Sequence, residues 1–298
     1  MKFIYLYTND TTVDAMDCYN YLSQGLHNMG HTVTGLKIDS ITKYSYILER
    51  MRYISNYDCV LVKGWPQSLI RYLKQRDIPR LVIYDPPIRP INNSRNFNGY
   101  YGLCWGQPHK YFYYEDSFDN SRWDRMSKSM GIKLGEWHVN NSGKILIGVR
   151  RELTFEGCNK RNMDQLINTC ASVSNNIALC SRTRSSRRLD MKDWPKFKSK
   201  MVLKTIKRFN TAKCLITTGG TMVPKSIIAG VPCYYSDRTI ADPLSITKDL
   251  KKFLSKPEMP DRTKWLNWVA YQQWTCKEIE LGSAFDYMFH VKGKVYDF

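Results

Sequence analysis

The sequence predicts an α/β protein of two consecutive halves, each wound from parallel βαβ units. Short apolar runs alternate with helically spaced segments at regular intervals, the pattern of strand, crossover helix and parallel strand. The alternation breaks after residue 107 and resumes with the apolar run that starts at Lys144. At 298 residues the chain is also long for one core, the usual scale being roughly 150 residues per domain.

The elements follow in order. "MKFIYLY" opens the chain as a strand. "TVDAMDCYNYLSQGLHNMG" has helical spacing and ends on Gly30, a residue suited to a left-handed C-cap. "HTVTGLKI" reads as a strand and "SYILERMRYIS" as a helix. "YDCVLVKG" is apolar throughout, as expected of a strand buried on both faces. "PQSLIRYLKQRD" follows as a helix, "PRLVIYD" as a strand, and "YYGLCWG" as one more strand. From Gln107 to Ser142 no period is visible, and this aromatic, charged stretch is expected to carry the crossing between the halves. The second half reads as strand "KILIGVR", helix "KRNMDQLINTCASVS", strand "IALCSR", helix "MVLKTIKRFNTA", strand "KCLITTGG", short helix "TMVPKSIIAG" and strand "VPCYYS". A helical stretch from about Asp261 to Phe289 closes the chain. The expected divisions are residues 1–140, 141–262, and a helical segment 263–298 able to pack back on the first.

Formal net charge is +18, more than solubility requires, and it points to a polyanionic partner: nucleic acid, acidic polysaccharide or an anionic membrane surface. Nine cysteines, odd in number and without C-x-x-C spacing, argue for reduced thiols and against a disulfide framework or a zinc site. Five histidines show no ligand spacing, so no metal-binding residue is assigned. The opening residues do not have the form of a signal peptide, and no window approaches 18 uninterrupted apolar residues. These features set the expectation of a soluble intracellular protein.

Open α/β sheets bind ligands at the carboxyl ends of their strands. Asp85 stands at such an end, and Pro86, Pro87 and Pro90 stiffen the loop that follows. A carboxylate so held suits a general base. An aspartate capping a turn fits the same place, and Glu115 and Asp116 are other acids able to serve. In the second half, Arg150, Arg151, Lys160 and Arg161 lie between a strand and a helix N-terminus, where pyrophosphate would be favoured. "TTGGT", again between strand and helix, offers Thr218, Gly219, Gly220 and Thr221; the glycines permit close backbone approach and Thr221 is placed to cap the helix. From Arg182 to Arg208 eleven basic residues face two acids, an excess suited to a phosphate backbone. Arg187, Arg188, Lys196 and Lys198, with Arg89, are the candidate nucleic-acid contacts, while Arg182 at a strand end suits the donor equally. Trp65 in "KGWPQ" is a candidate acceptor contact or, equally, a rim or core aromatic, and "WLNWVAYQQW" reads as helix packing.

The opening "MK" strand, "YDCVLV" and "YDPPIRP" resemble the first half of phage DNA β-glucosyltransferases, where the corresponding aspartate is the catalytic base; the match falls on Asp85, with two prolines inserted before Ile88. "SRWDRMSKSMGIKL", "SGKILIGVRRE", "IIAGVPCYYSD" and "DRTKWLNWVAYQQWTCKEIELGSAF" resemble capsular-polysaccharide-type glycosyltransferases, which also occur in phages. That group usually carries a Glu where this chain has Lys225. The resemblances imply a GT-B-like α/β fold, two Rossmann-like domains facing across a cleft. Residues 1–140 would then hold the acceptor DNA and residues 141–262 the nucleotide sugar.

The implied activity is transfer of a sugar from a UDP-sugar to the hydroxyl of a hydroxymethylated pyrimidine in phage DNA, with inversion and with Asp85 taking the proton. Arginines would neutralise the leaving diphosphate, so no metal is required, and Mg or Mn is left open. The partners expected are double-stranded DNA with modified bases and the nucleotide sugar, for a monomer in the host cytoplasm with no membrane contact. A glycosyltransferase of surface or capsular polysaccharide synthesis and a non-catalytic nucleic-acid-binding protein are the alternatives.

Overall fold

A computed structural model describes residues 1–8, 13–38, 54–64, 67–84, 86–88, 99–106, 118–138, 140–149, 160–181, 201–203 and 209–292. In chain order these form β1 (Lys2–Thr8), α1 (Val13–Asn28), β2 (Thr32–Ile38), β3 (Cys59–Lys63), α2 (Gln67–Gln75), β4 (Arg80–Tyr84) and β5 (Tyr100–Trp105). There follow α3 (Ser121–Met130), β6 (Lys144–Val149), α4 (Lys160–Val173), β7 (Ile177–Ser181), β8 (Met201–Leu203), β9 (Ala212–Thr217), α5 (Met222–Ile228) and β10 (Cys233–Tyr235). A 3₁₀ turn (Asp242–Leu244), α6 (Leu250–Ser255), α7 (Thr263–Ala270), β11 (Gln273–Thr275), α8 (Cys276–Glu280) and α9 (Ser283–Lys292) complete the chain. The expected helix "SYILERMRYIS" lies mostly outside the described residues.

The chain divides into two compact units. The first comprises residues 1–87, 93–118 and 268–298, and the second residues 88–92 and 119–267.

Among the described residues, the first unit carries a sheet in the order β11-β5-β4-β3-β1-β2. β1 to β4 run parallel, β5 runs antiparallel to β4, and β11 runs antiparallel to β5. Alternate residues of β1 serve opposite faces. Phe3 and Tyr5 pack with Leu22 and Leu26 of α1 and with Ile279 and Phe285 of the C-terminal helices. Ile4 and Leu6 pack with Ile70 and Leu73 of α2. Both faces are covered, which is why these strands are apolar without alternation. The C-terminal segment is bonded in as well as packed: Trp105 Nε1 donates to the Met288 carbonyl at 2.6 Å, and Asn28 Nδ2 donates to that of Glu280 at 2.9 Å. Gly102 is required opposite Tyr84, because a Cβ there would lie 2.6 Å from the tyrosine ring.

The second unit carries a parallel sheet in the order β10-β9-β6-β7-β8. Counted from β6 along the chain this is 3-2-1-4-5, the order of a Rossmann half. The segment 132–138 lies beside the end of α5, with Gly135 N–H bonded to the Ile228 carbonyl at 2.8 Å and His138 N–H to that of Gly230 at 3.0 Å. Buried Arg262 locks this edge: its guanidinium donates to the carbonyls of Ile227 at 2.6 Å and Gly135 at 2.8 Å and stacks on Trp137 with 4.3 Å to the ring centroid.

Four expectations are corrected. "MVLKTIKRFNTA" is not a helix at its start: Met201–Leu203 is β8, drawn into the sheet by pairing with Leu179–Ser181. Residues 107–142 are not all irregular, for α3 lies within them and buries Arg122, Trp123, Met126 and Met130. The sheet of the first half is mixed rather than wholly parallel. The C-terminal helical stretch is interrupted by β11, which adds Gln273–Thr275 to β5.

Candidate functional site

A five-stranded 3-2-1-4-5 sheet has one place where the winding reverses, between its first and fourth strands, here β6 and β9. In open α/β sheets two crossovers leave in opposite directions at such a point, and ligands bind in the crevice outside the carboxyl ends of the strands. β9 ends at Thr217, so "TTGGT" is the loop at this reversal. β6 ends at Val149, so Arg150 and Arg151 follow it directly in the chain.

The loop is held from beneath. Thr217 is buried, and its hydroxyl lies 3.2 Å from the Gly148 carbonyl and 3.3 Å from that of Gly219, while it accepts the Gly219 N–H at 3.3 Å. One threonine thus links β6, β9 and the glycine turn. Gly148 leaves room for it: a Cβ there would stand 3.2 Å from Thr217 Oγ1 and 3.3 Å from Met222 Sδ. Gly219 and Gly220 have φ of 139° and 90°, a region that side chains with a Cβ rarely enter. Thr218 is fully buried, whereas Gly220 and Thr221 are partly exposed. Thr221 does occupy the N-cap of α5, but its backbone is helical (φ −68°, ψ −9°) and its side chain makes no capping bond, contrary to expectation. A capping side chain normally hangs from an extended residue. Lys225 is buried within α5.

A second wall was invisible in the sequence. After β10 the chain stays bonded to the glycine loop, with Ser236 N–H on the Thr217 carbonyl at 3.3 Å and Asp237 N–H on that of Thr218 at 2.9 Å. Tyr235 Oη closes this turn on the Ala241 carbonyl at 2.7 Å. Lys248 Nζ donates to the Tyr235 carbonyl at 3.2 Å, lies 3.4 Å from Asp242 Oδ1, and sits 3.7 Å from the centroid of the Tyr235 ring. Partial burial holds the Lys248 ammonium below its usual range, against the opposing pull of Asp242. Burial first, then the Asp242 charge, pushes the Tyr235 phenol well up, so it stays a neutral donor.

Thr218, Gly219, Gly220 and Thr221 are therefore brought together at the reversal point. Arg161 lies in the first turn of α4 by its backbone. Asp85 follows Tyr84, the last residue of β4, and lies outside the described residues, as do Arg150, Arg151, Arg182, Glu115, Asp116 and Trp65. The candidate nucleic-acid contacts Arg89, Arg187, Arg188, Lys196 and Lys198 lie outside them too. The tryptophans of "WLNWVAYQQW" serve packing: Trp265, Trp268 and Trp274 are buried. Among the described residues no three His, Cys, Asp or Glu side chains gather as a metal site, and no helix is long and apolar enough to cross a membrane.

No family model and no curated protein sequence matches this chain. Solved structures do. The KpsC β-Kdo 2,7 transferase of Thermosulfurimonas dismutans is similar at a TM-score of 0.56 and 11% identity, over 96% of this chain and 100% of that one. The KpsC β-Kdo 2,4 transferase of the same organism is similar at 0.54 and 7% identity, over 91% of each chain. The fold is GT-B. At these identities the likeness is one of architecture, and it extends through both units rather than one.

Proposed function

We propose that the protein is a glycosyltransferase using a nucleoside diphosphate sugar, held at the second unit with its diphosphate against the glycine loop. The observation that carries this reading is the strutted Gly219–Gly220 turn at the reversal point of a Rossmann half. A turn with no Cβ lets the main chain approach a pyrophosphate, and the threonine beneath it keeps that shape before the donor arrives. In this reading Arg150, Arg151, Arg161 and Arg182 supply charge to the leaving diphosphate, UDP being the expected carrier. Asp85 takes the proton of the attacking hydroxyl.

The acceptor proposed is the hydroxymethyl group of a modified pyrimidine in duplex DNA. The net charge of +18 and the "YDPPIRP" resemblance support it. The target base would have to leave the stack to reach the donor. A second reading, transfer onto a surface or capsular polysaccharide, is supported by a different observation: the two KpsC structures are Kdo transferases in name, alike over nine-tenths of this chain or more.

Incubation with a panel of UDP-sugars and either hydroxymethylcytosine-containing DNA or capsular oligosaccharides, followed by mass spectrometry, tests both. A glycosylated nucleoside, lost in Asp85→Asn by a factor of about 10²–10⁴ while UDP still binds, is the result expected. Glycosylated oligosaccharide with untouched DNA selects the second reading. Absence of any product together with no UDP binding rejects the donor assignment itself.

A further inference from the structure

The amino ends of the second sheet, opposite the glycine loop, carry an open groove of about 740 Å³ bordered by Glu136, His138, Asn140, Asn141, Ser142 and Asn210. A hollow of about 240 Å³ shares Asn140 and Ser142 with it and reaches Asn176. We propose that this groove binds an oligosaccharide, at a site separate from the donor loop.

The walls are built rather than loose. Gly143 N–H closes a turn on the Asn140 carbonyl at 2.8 Å, and Ser142 Oγ donates to Asn140 Oδ1 at 2.9 Å. Asn176 Nδ2 donates to the Ser142 carbonyl at 2.9 Å, tying the turn before β6 to the turn before β7. Gly143 presses on the chain entering β9, where a Cβ would fall 2.6 Å from the Thr211 carbonyl oxygen. On this frame Asn141 and Asn210 are exposed. Neither side chain hydrogen-bonds any described residue.

The lining selects the ligand class. Asn141 and Asn210 each present an acceptor oxygen beside a donor NH2, a match for neighbouring hydroxyls, which also donate and accept. A phosphate chain would need cations; Lys144 borders only the smaller hollow, and the larger one bears the carboxylate of Glu136. Among the described residues that border the groove, this scarcity of positive charge stands out in a chain of net charge +18. Among the described residues, the aliphatic side chains on this lining are Leu146 and Ala229. The volume lies in the range of roughly 300–1,000 Å³ usual for small-molecule sites and suits a short glycan.

This inference does not rest on the donor reading. Saturation-transfer NMR of the full chain with maltotriose, cellotriose and triacetylchitotriose should show transfer to at least one, undiminished by saturating UDP. Asn141→Ala/Asn210→Ala changes two exposed side chains and should weaken that sugar about tenfold or more, as two lost hydrogen bonds would, while thermal unfolding and UDP titration stay as in the wild type. No transfer to any of the three sugars, competition by UDP, or undiminished binding in the double variant would each overturn the proposal.

Discussion

Replacing Thr217 by Val tests whether the glycine loop is strutted in the way its geometry indicates. Valine keeps the branched shape at a site 1% exposed and removes only the hydroxyl. That hydroxyl has one proton, so it serves the Gly148 or the Gly219 carbonyl at any moment while accepting the Gly219 N–H. Depriving a buried polar group of its partner costs about 1–3 kcal/mol. The distances of 3.2–3.3 Å are at the long end, so each of these bonds is a weak one. A loss of about 1–2 kcal/mol in urea unfolding is therefore expected, the lower part of that range. Calorimetric titration with UDP should show a further effect, a weakening of about 5–30-fold, if the turn is shaped before the donor binds. Ser226→Ala is the control. It removes a comparable buried bond, Oγ to the Val231 carbonyl at 3.0 Å, near the C-terminal end of α5, so it should lose stability and keep UDP affinity. Wild-type stability and UDP affinity in Thr217→Val would refute the strut, and equal loss of UDP affinity in both variants would show a global rather than a local effect.

Gly220→Ala places a Cβ at φ 90°, at a cost of about 1–2 kcal/mol, and should weaken UDP binding more than it lowers the unfolding midpoint. Gly230→Ala should be severe: φ is 77° and the new Cβ would overlap the Glu136 carbonyl oxygen, so a loss of about 2 kcal/mol or more is expected in urea unfolding, with UDP affinity kept in the folded fraction. Asp261 takes two bonds from Thr263 that hold its carboxyl below the usual aspartate range. Its contribution is present above the unfolded-state pKa and disappears as pH falls through the lower folded value, so Asp261→Asn should flatten the acid limb of stability against pH, and an unchanged limb would remove Asp261 from it.

What could be read from the sequence follows from which contacts leave a mark on residue type. β1, β3 and β4 were legible because burial on both faces forces an unbroken apolar run. β8 was not, since Met201, Val202 and Leu203 suit a helix as well as a strand and only pairing with β7 decides. α3 was hidden because Arg122 takes one of its buried positions, so its apolar period is broken where it packs. β11 was hidden for a related reason: Gln273 is fully buried among residues otherwise spaced for helix. The candidate site divides in the same way. Gly219 and Gly220 announce a turn by their composition. The wall made by Ser236 and Asp237 rests on main-chain N–H groups bonded to main-chain carbonyls, and these are common to all residues but proline. Those two bonds do not depend on the side chain at position 236, so Ser236→Ala should leave UDP binding unchanged where Thr217→Val does not.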